Sequence, residues 1–270
     1  MRAASGIACA LYKRLTMIDT NGEHSAFYKH VLLSLNTAGI PFLIGGAFAL
    51  DFALGTNRRT KDLDLLVKPE DAVNTLTTLE NEGYRTEMTD ETWLGKAFQG
   101  NDFVDVIFRF GNGLAAIDDS WWDQALSGEL WGVPVRLCAA EESLWSKAFI
   151  MERDRFDGAD VAHIIRLRGH ELDWDRIVAR FGPHWRVLLA HLVLFGYVYP
   201  GERDKVPRRV LLELLDRVAA DHVAGEDVCF GPYLSRSQYM YDLEKLGSQD
   251  ARVIRAPAGV PHRPERTPFP

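Results

Sequence analysis

The chain is predicted to be an α+β protein, a mixed sheet with helices followed by a helical half. Two observations carry this. Up to about residue 140, short apolar strand patterns alternate with segments of helical period, which suggests a mixed α/β unit. From Glu141 onward the strand signals stop and five helical patterns follow, several separated by Gly or Pro. The length of 270 residues leaves room for one large domain or two modest ones. The expected division is a flexible extension over 1–20, an α/β domain over 21–140, a helical domain over 141–248 and a disordered tail over 249–270.

Ser25 to Ala38 places Phe27, Val31, Leu32, Leu35 and Ala38 on one apolar helix face, and Gly39 stops it. Pro41 to Ile44 reads as a short buried strand running into Gly45-Gly46. Ala47 to Leu54 is a helix ended by Gly55, and Asp62 to Val67 is the next strand, broken by Lys68-Pro69. Glu70 to Glu82 is a helix with Val73, Leu76 and Leu79 inward. Phe103 to Phe110 is the clearest strand, aromatic and β-branched. It puts Phe103, Asp105, Ile107 and Arg109 on one face and Val104, Val106, Phe108 and Phe110 on the other. Val133 to Leu137 is a further strand. The later helices are expected at Glu141–Arg153, Gly158–Arg168, Asp173–Phe181, Trp185–Tyr199 and Arg208–Val223.

With 47% hydrophobic and 26% charged residues, the composition is that of an ordinary soluble globular protein. A net charge of −7 argues against a generic nucleic-acid coat while allowing a local basic groove. Cys9, Cys138 and Cys229 make neither a disulfide framework nor a metal cluster, so a reducing cytoplasm is the expected location. The longest apolar run, Val187 to Val198, is too short to cross a bilayer and reads as a buried helix. The first residues imitate a secretion signal, but Lys13 and Arg14 stand where a cleavage site belongs; Met17 is an alternative start. The last twenty residues hold five prolines and four arginines without apolar period.

The chemistry concentrates in Pro41 to Val67. Asp62 and Asp64 lie two apart on a strand, so both project from one face with α-carbons roughly 6.5–7 Å apart. They are either the polar face of an antiparallel strand or a seat for a cation, for which a divalent metal carrying phosphate is the readiest candidate. Gly45-Gly46 is either a plain tight turn or, between strand and helix, an anion cradle of backbone N–H groups. Asp105 either pairs with Arg109 on its own face or joins the first two aspartates as a third ligand and as a base. Arg58, Arg59 and Lys61 form a small basic cluster in a loop beside the carboxylates, solvated or holding phosphate. Lys147 sits among core residues of its helix and either snorkels outward or reaches a cleft. His163, His170, His184 and His191 lack zinc spacing and read as core or surface. Trp121-Trp122, Trp131 and Trp145 read as packing between the sheet and the helical half.

Gly45-Gly46, then Arg59-Thr60-Lys61-Asp62-Leu63-Asp64, then Asp105 on a later strand resembles the nucleotidyltransferase superfamily of polymerase-β-type fold. It is most similar to the bacterial minimal and abortive-infection-toxin branches. The motifs cover about residues 40–110, and Lys147 with Arg155-Phe156-Asp157-Gly158-Ala159-Asp160 extends them to about 165. The resemblance implies transfer of an NMP from an NTP to an acceptor hydroxyl with release of pyrophosphate. It implies two Mg²⁺ ions, replaceable by Mn²⁺, on Asp62, Asp64 and Asp105, with Asp105 also assisting deprotonation. It implies nucleotide contacts at Gly45, Gly46, Arg59, Lys61 and Lys147, with an acidic pair nearby in support. ATP is favoured by analogy alone, and the acceptor is a small molecule, an RNA end or a protein. Ala47 departs from the Gly-Ser of many members, leaving only backbone N–H groups there. The gap from Gly46 to Asp62 is also long for the family. The alternative is a degenerate member that binds nucleotide or a partner protein without catalysis, possibly within a toxin–antitoxin pair.

Overall fold

A computed structural model describes residues 22–56, 62–110, 114–221, 227–235 and 237–254. Helix α1 (Gly22–Ala38) leads to β1 (Leu43–Ile44), α2 (Gly46–Leu54) and β2 (Leu63–Leu66). A 3₁₀ turn and α3 (Ala72–Asn81) precede β3 (Arg85–Asp90), β4 (Leu94–Gln99) and β5 (Asp102–Ile107). The small strands β6 (Arg109–Phe110) and β7 (Ala115–Ala116) and helix α4 (Ser120–Asp123) come before the hairpin β8 (Leu126–Leu130) and β9 (Val133–Leu137). The helical half is α5 (Ala140–Ala148), α6 (Gly158–Arg168), α7 (Trp174–Phe181), α8 (Trp185–Val198) and α9 (Arg208–Ala220). It ends in β10 (Val228–Cys229), α10 (Met240–Glu244), β11 (Gln249–Asp250) and α11 (Ala251–Ile254).

Seven strands form one mixed sheet in the order β3-β4-β5-β2-β1-β9-β8. The central β2 is parallel to β5 and antiparallel to β1, and β1 is parallel to β9. Leu63, Leu65, Leu66, Val104 and Val106 are almost wholly buried, as the apolar runs of internal strands require. Buried side chains of the sheet and of the helical half make one continuous core. Phe110 stacks on Trp121 at 5.3 Å, and Trp121 meets Trp145 of α5 edge-on at 6.3 Å. Trp131 instead packs on Tyr28 of α1 and Phe48 of α2. It turns the β8–β9 hairpin with Gly132, both at positive φ, as a two-residue turn matched to strand twist demands.

Several elements differ from expectation. The β3–β4 hairpin and β8 carry too few apolar residues to show a period; β3 is Arg-Thr-Glu-Met-Thr-Asp and depends on pairing with β4. The strand expected to run from Phe103 to Phe110 breaks at Phe108, whose N–H donates to Trp93 O, and restarts as β6. On α3 the inward stripe is Ala72, Thr75, Leu76 and Leu79, which turns Val73 out to 66% exposure. Ala38 is likewise exposed, because the α1 stripe ends at Leu35. Helix α5 stops at Ala148, where Met151 N–H goes to Leu234 O. Helix α8 buries one side only, through Leu188, His191, Leu192 and Phe195. Gln249 to Ile254, assigned above to the tail, pair with β10 and bury Ala251. No described helix is long and apolar enough to cross a membrane.

Candidate active site

The parallel pairing of β2 and β5 sets Asp64 directly opposite Asp105. Two carboxylates are thereby placed on neighbouring internal strands with little water. Burial, then the charges of Asp105 and Asp62, push the Asp64 carboxyl up to about 7, with Lys147 and Arg155 pulling the other way. Asp105 is raised for the same first reason, opposed by a hydrogen bond from Lys96. Its partner is therefore Lys96 of β4, Nζ to Oδ1 at 2.5 Å, and not the Arg109 that shares its face. Asp62 precedes β2 at an exposed position, and its charge acts on Asp64, Asp105 and Tyr28. The Tyr28 hydroxyl is pushed up to about 12 by burial and by Asp102, Asp62 and Asp105.

Gly45 and Gly46 join β1 to α2. The Gly45 N–H donates to Asp64 O at 2.9 Å, fixing the turn against β2. Gly46 has φ +55°, and a Cβ on it would fall 1.5 Å from Asp64 Oδ2. The Asp64 carboxylate thus rests in the space that only glycine leaves, beside the positive end of α2.

Lys147 comes from the last turn of α5, 14% exposed, and is held by Asp160 at 2.7 Å and Asp157 at 3.0 Å. Arg155 grips both oxygens of Asp157, each at 3.0 Å. Burial raises the Asp157 carboxyl, but Arg155 and Lys147 more than offset it and hold it below its usual range. The acidic pair therefore holds the two cations: Asp157 contacts both Lys147 and Arg155, and Asp160 contacts Lys147.

Gly45, Gly46, Asp64, Asp105, Lys147 and Arg155 line one cavity of about 300 Å³. Its remaining wall is largely apolar, with Trp93, Ile107, Phe110, Phe149 and Leu234, and it adds Arg109 and Glu152. Desolvation holds the Arg109 guanidinium below its ordinary value. Asp62 is not part of this lining, and among the described residues no group of three acids, histidines or cysteines is placed to hold one metal ion. Arg59 and Lys61 lie outside the described residues. Lys96, Glu152 and Trp93 carry no signal in the sequence reading, and Arg109 enters it only as a partner offered to Asp105. Arg155 stood in a noted motif, whereas Lys96 sits on a strand with no sequence signal.

Residues 9–189 match the model of a family described as uncharacterised nucleotidyltransferase. The chain belongs to that family. It is accordingly a nucleotidyltransferase, an enzyme that transfers phosphorus-containing groups. Among solved structures it is similar to the antibiotic-resistance factor ANT(2'')-Ia, at 19% identity and a TM-score of 0.46, covering 64% of this chain and 98% of that one. The lincosamide antibiotic adenylyltransferase LnuA aligns at 14% identity and a TM-score of 0.39, over 54% and 98% of the two chains. JHP933 from Helicobacter pylori aligns at 14% identity and a TM-score of 0.37, over 84% and 100%. No curated protein matches the chain.

Proposed function

We propose that this nucleotidyltransferase moves an NMP from an NTP onto an acceptor hydroxyl with release of pyrophosphate, using Mg²⁺ or Mn²⁺. The observation that carries the reading is the register pair Asp64–Asp105 in a cavity that Lys147 and Arg155 also line. The donor set fits: Mg²⁺ prefers oxygen ligands and is commonly held by one or two carboxylates together with substrate phosphates. Burial, then the charges of Asp105 and Asp62, disfavour the ionised Asp64 carboxyl, and a bound cation would offset that cost. Asp64 and Asp105, with Asp62 at their edge, would hold the ion, which supplies charge stabilisation on the phosphoryl oxygens.

The chain's own groups account for the rest. Lys147 and Arg155, pre-oriented by Asp157 and Asp160, offer donors to the triphosphate without having to be ordered on binding. The Gly45-Gly46 turn at the α2 N-terminus favours negative charge, and the Asp64 carboxylate is already seated against Gly46. The apolar stretch of Trp93, Phe110 and Phe149 excludes water and can pack a base or an acceptor ring. Asp105 would take the proton of the acceptor hydroxyl.

The test is incubation with each α-labelled NTP and Mg²⁺ or Mn²⁺ in separate pools of small hydroxylated compounds, RNA and protein. Label transfer that is lost in Asp64→Ala and Asp105→Ala supports the reading. Transfer by those variants at the wild-type rate would refute the site. NTP binding that depends on metal but never releases pyrophosphate would favour the non-catalytic alternative.

A further inference from the structure

Three side chains stand in line across the sheet. In the strand registers Lys96 is paired with Asp105, and Asp105 with Asp64. Lys96 Nζ lies 2.5 Å from Asp105 Oδ1, with both side chains about one-fifth exposed. The same ammonium stands 4.1 Å from the centre of the Phe103 ring, two residues before Asp105 on the same face of β5. A lysine held by a carboxylate and an aromatic ring at once is a placed residue, unlike a surface lysine free to wander.

That placement has a consequence for any second cation. Of the two Asp105 oxygens, Oδ1 is engaged by the ammonium, so a divalent ion binding through that oxygen competes with the ammonium for it. A full positive charge beside the ligand also repels the incoming ion. We propose that Lys96 is an internal cation that occupies Asp105 in the metal-free protein, so that the divalent ion binds well only together with the nucleotide. The triphosphate brings the negative charge that compensates the displaced ammonium, and the Phe103 ring gives the ammonium a retained contact after it leaves Asp105. Lys96 is thus a positioning residue that couples metal binding to substrate binding. The inference rests on the metal-dependent reading of the Asp64–Asp105 site.

The experiment measures Mn²⁺ binding to the full chain by electron paramagnetic resonance or calorimetry, with and without a non-hydrolysable NTP analogue, so no turnover is needed. Wild type should bind Mn²⁺ weakly alone and more tightly with the analogue. Lys96→Met should bind Mn²⁺ alone about tenfold tighter than wild type, the gain from removing a positive charge beside a metal ligand. It should also show a smaller gain from the analogue. Lys96→Arg, which keeps the charge, should behave like wild type. A Lys96→Met protein that unfolds before wild type would still be read through Lys96→Gln and through Mn²⁺ protection of its melting temperature. Unchanged or weaker Mn²⁺ binding in both neutral variants would overturn the proposal while leaving the metal site standing. Absence of Mn²⁺ binding in wild type even with the analogue would instead remove the metal reading itself.

Discussion

Removing the charge of Asp64 should make the metal-free protein more stable at alkaline pH. The carboxyl titrates at about 7 in the folded chain against an ordinary 3.8. That difference corresponds to roughly 4 kcal/mol in favour of the protonated native state. Since the folded value lies above the unfolded one, this stability is fully present below pH 3.8 and is lost as pH rises through 7. Between pH 5 and pH 8 the group alone costs the wild type roughly 2–3 kcal/mol. Asp64→Asn keeps the shape and removes the titration, so its stability should fall less over that interval by the same amount. The assay is urea unfolding in EDTA at pH 5 and pH 8 for both proteins, with the difference in unfolding free energy taken at each pH. A wild-type minus variant difference that stays constant across the two pH values would refute the assignment of a buried, repelled carboxyl. Added Mg²⁺ should recover stability at pH 8 in wild type and recover little in Asp64→Asn, because binding to the ionised native site is linked to folding.

Two other substitutions probe the frame around the site. Gly46→Ala must accept φ +55°, costing about 1–2 kcal/mol, and its Cβ would drive the Asp64 carboxylate from a position 1.5 Å away. Activity should drop by about 10²-fold or more while the fold survives in circular dichroism; near-normal turnover would show that Asp64 does not need this position. Glu142 is 1% exposed and joins α5 to α7 through Arg176 and Arg180. Its replacement by Ala leaves two guanidinium groups short of their counter-ion and should cost about 3–5 kcal/mol in a denaturation experiment, with a loss below about 1 kcal/mol counting against a structural ion cluster.

Much of the frame was legible because it depends on local periodicity. The helices Gly158–Arg168 and Trp185–Val198 and the strand Val133–Leu137 follow directly from apolar spacing and their flanking Gly and Pro residues. The β3–β4 hairpin was not legible, since Arg85–Asp90 is polar and gains its structure from a neighbour. The same omission hid Lys96, whose role arises only once β4 lies beside β5. The single-strand reading of Phe103–Phe110 gave the right face to Asp105 and Ile107 but the wrong one to Phe110, which lines the cavity after the break at Phe108.

By itself, the order of residues determined a mixed α/β half with a helical continuation, a glycine pair between strand and helix, and Asp62, Asp64 and Asp105 as candidate acids. Only the tertiary structure decided which of them share a cavity. Parallel register sets Asp64 against Asp105, burial raises both, and a cross-strand lysine claims one of them. Asp62 stays at the exposed rim. The physical reason is that side-chain period is local, whereas register, burial and the partner of a charge are set by strands and helices far apart in sequence.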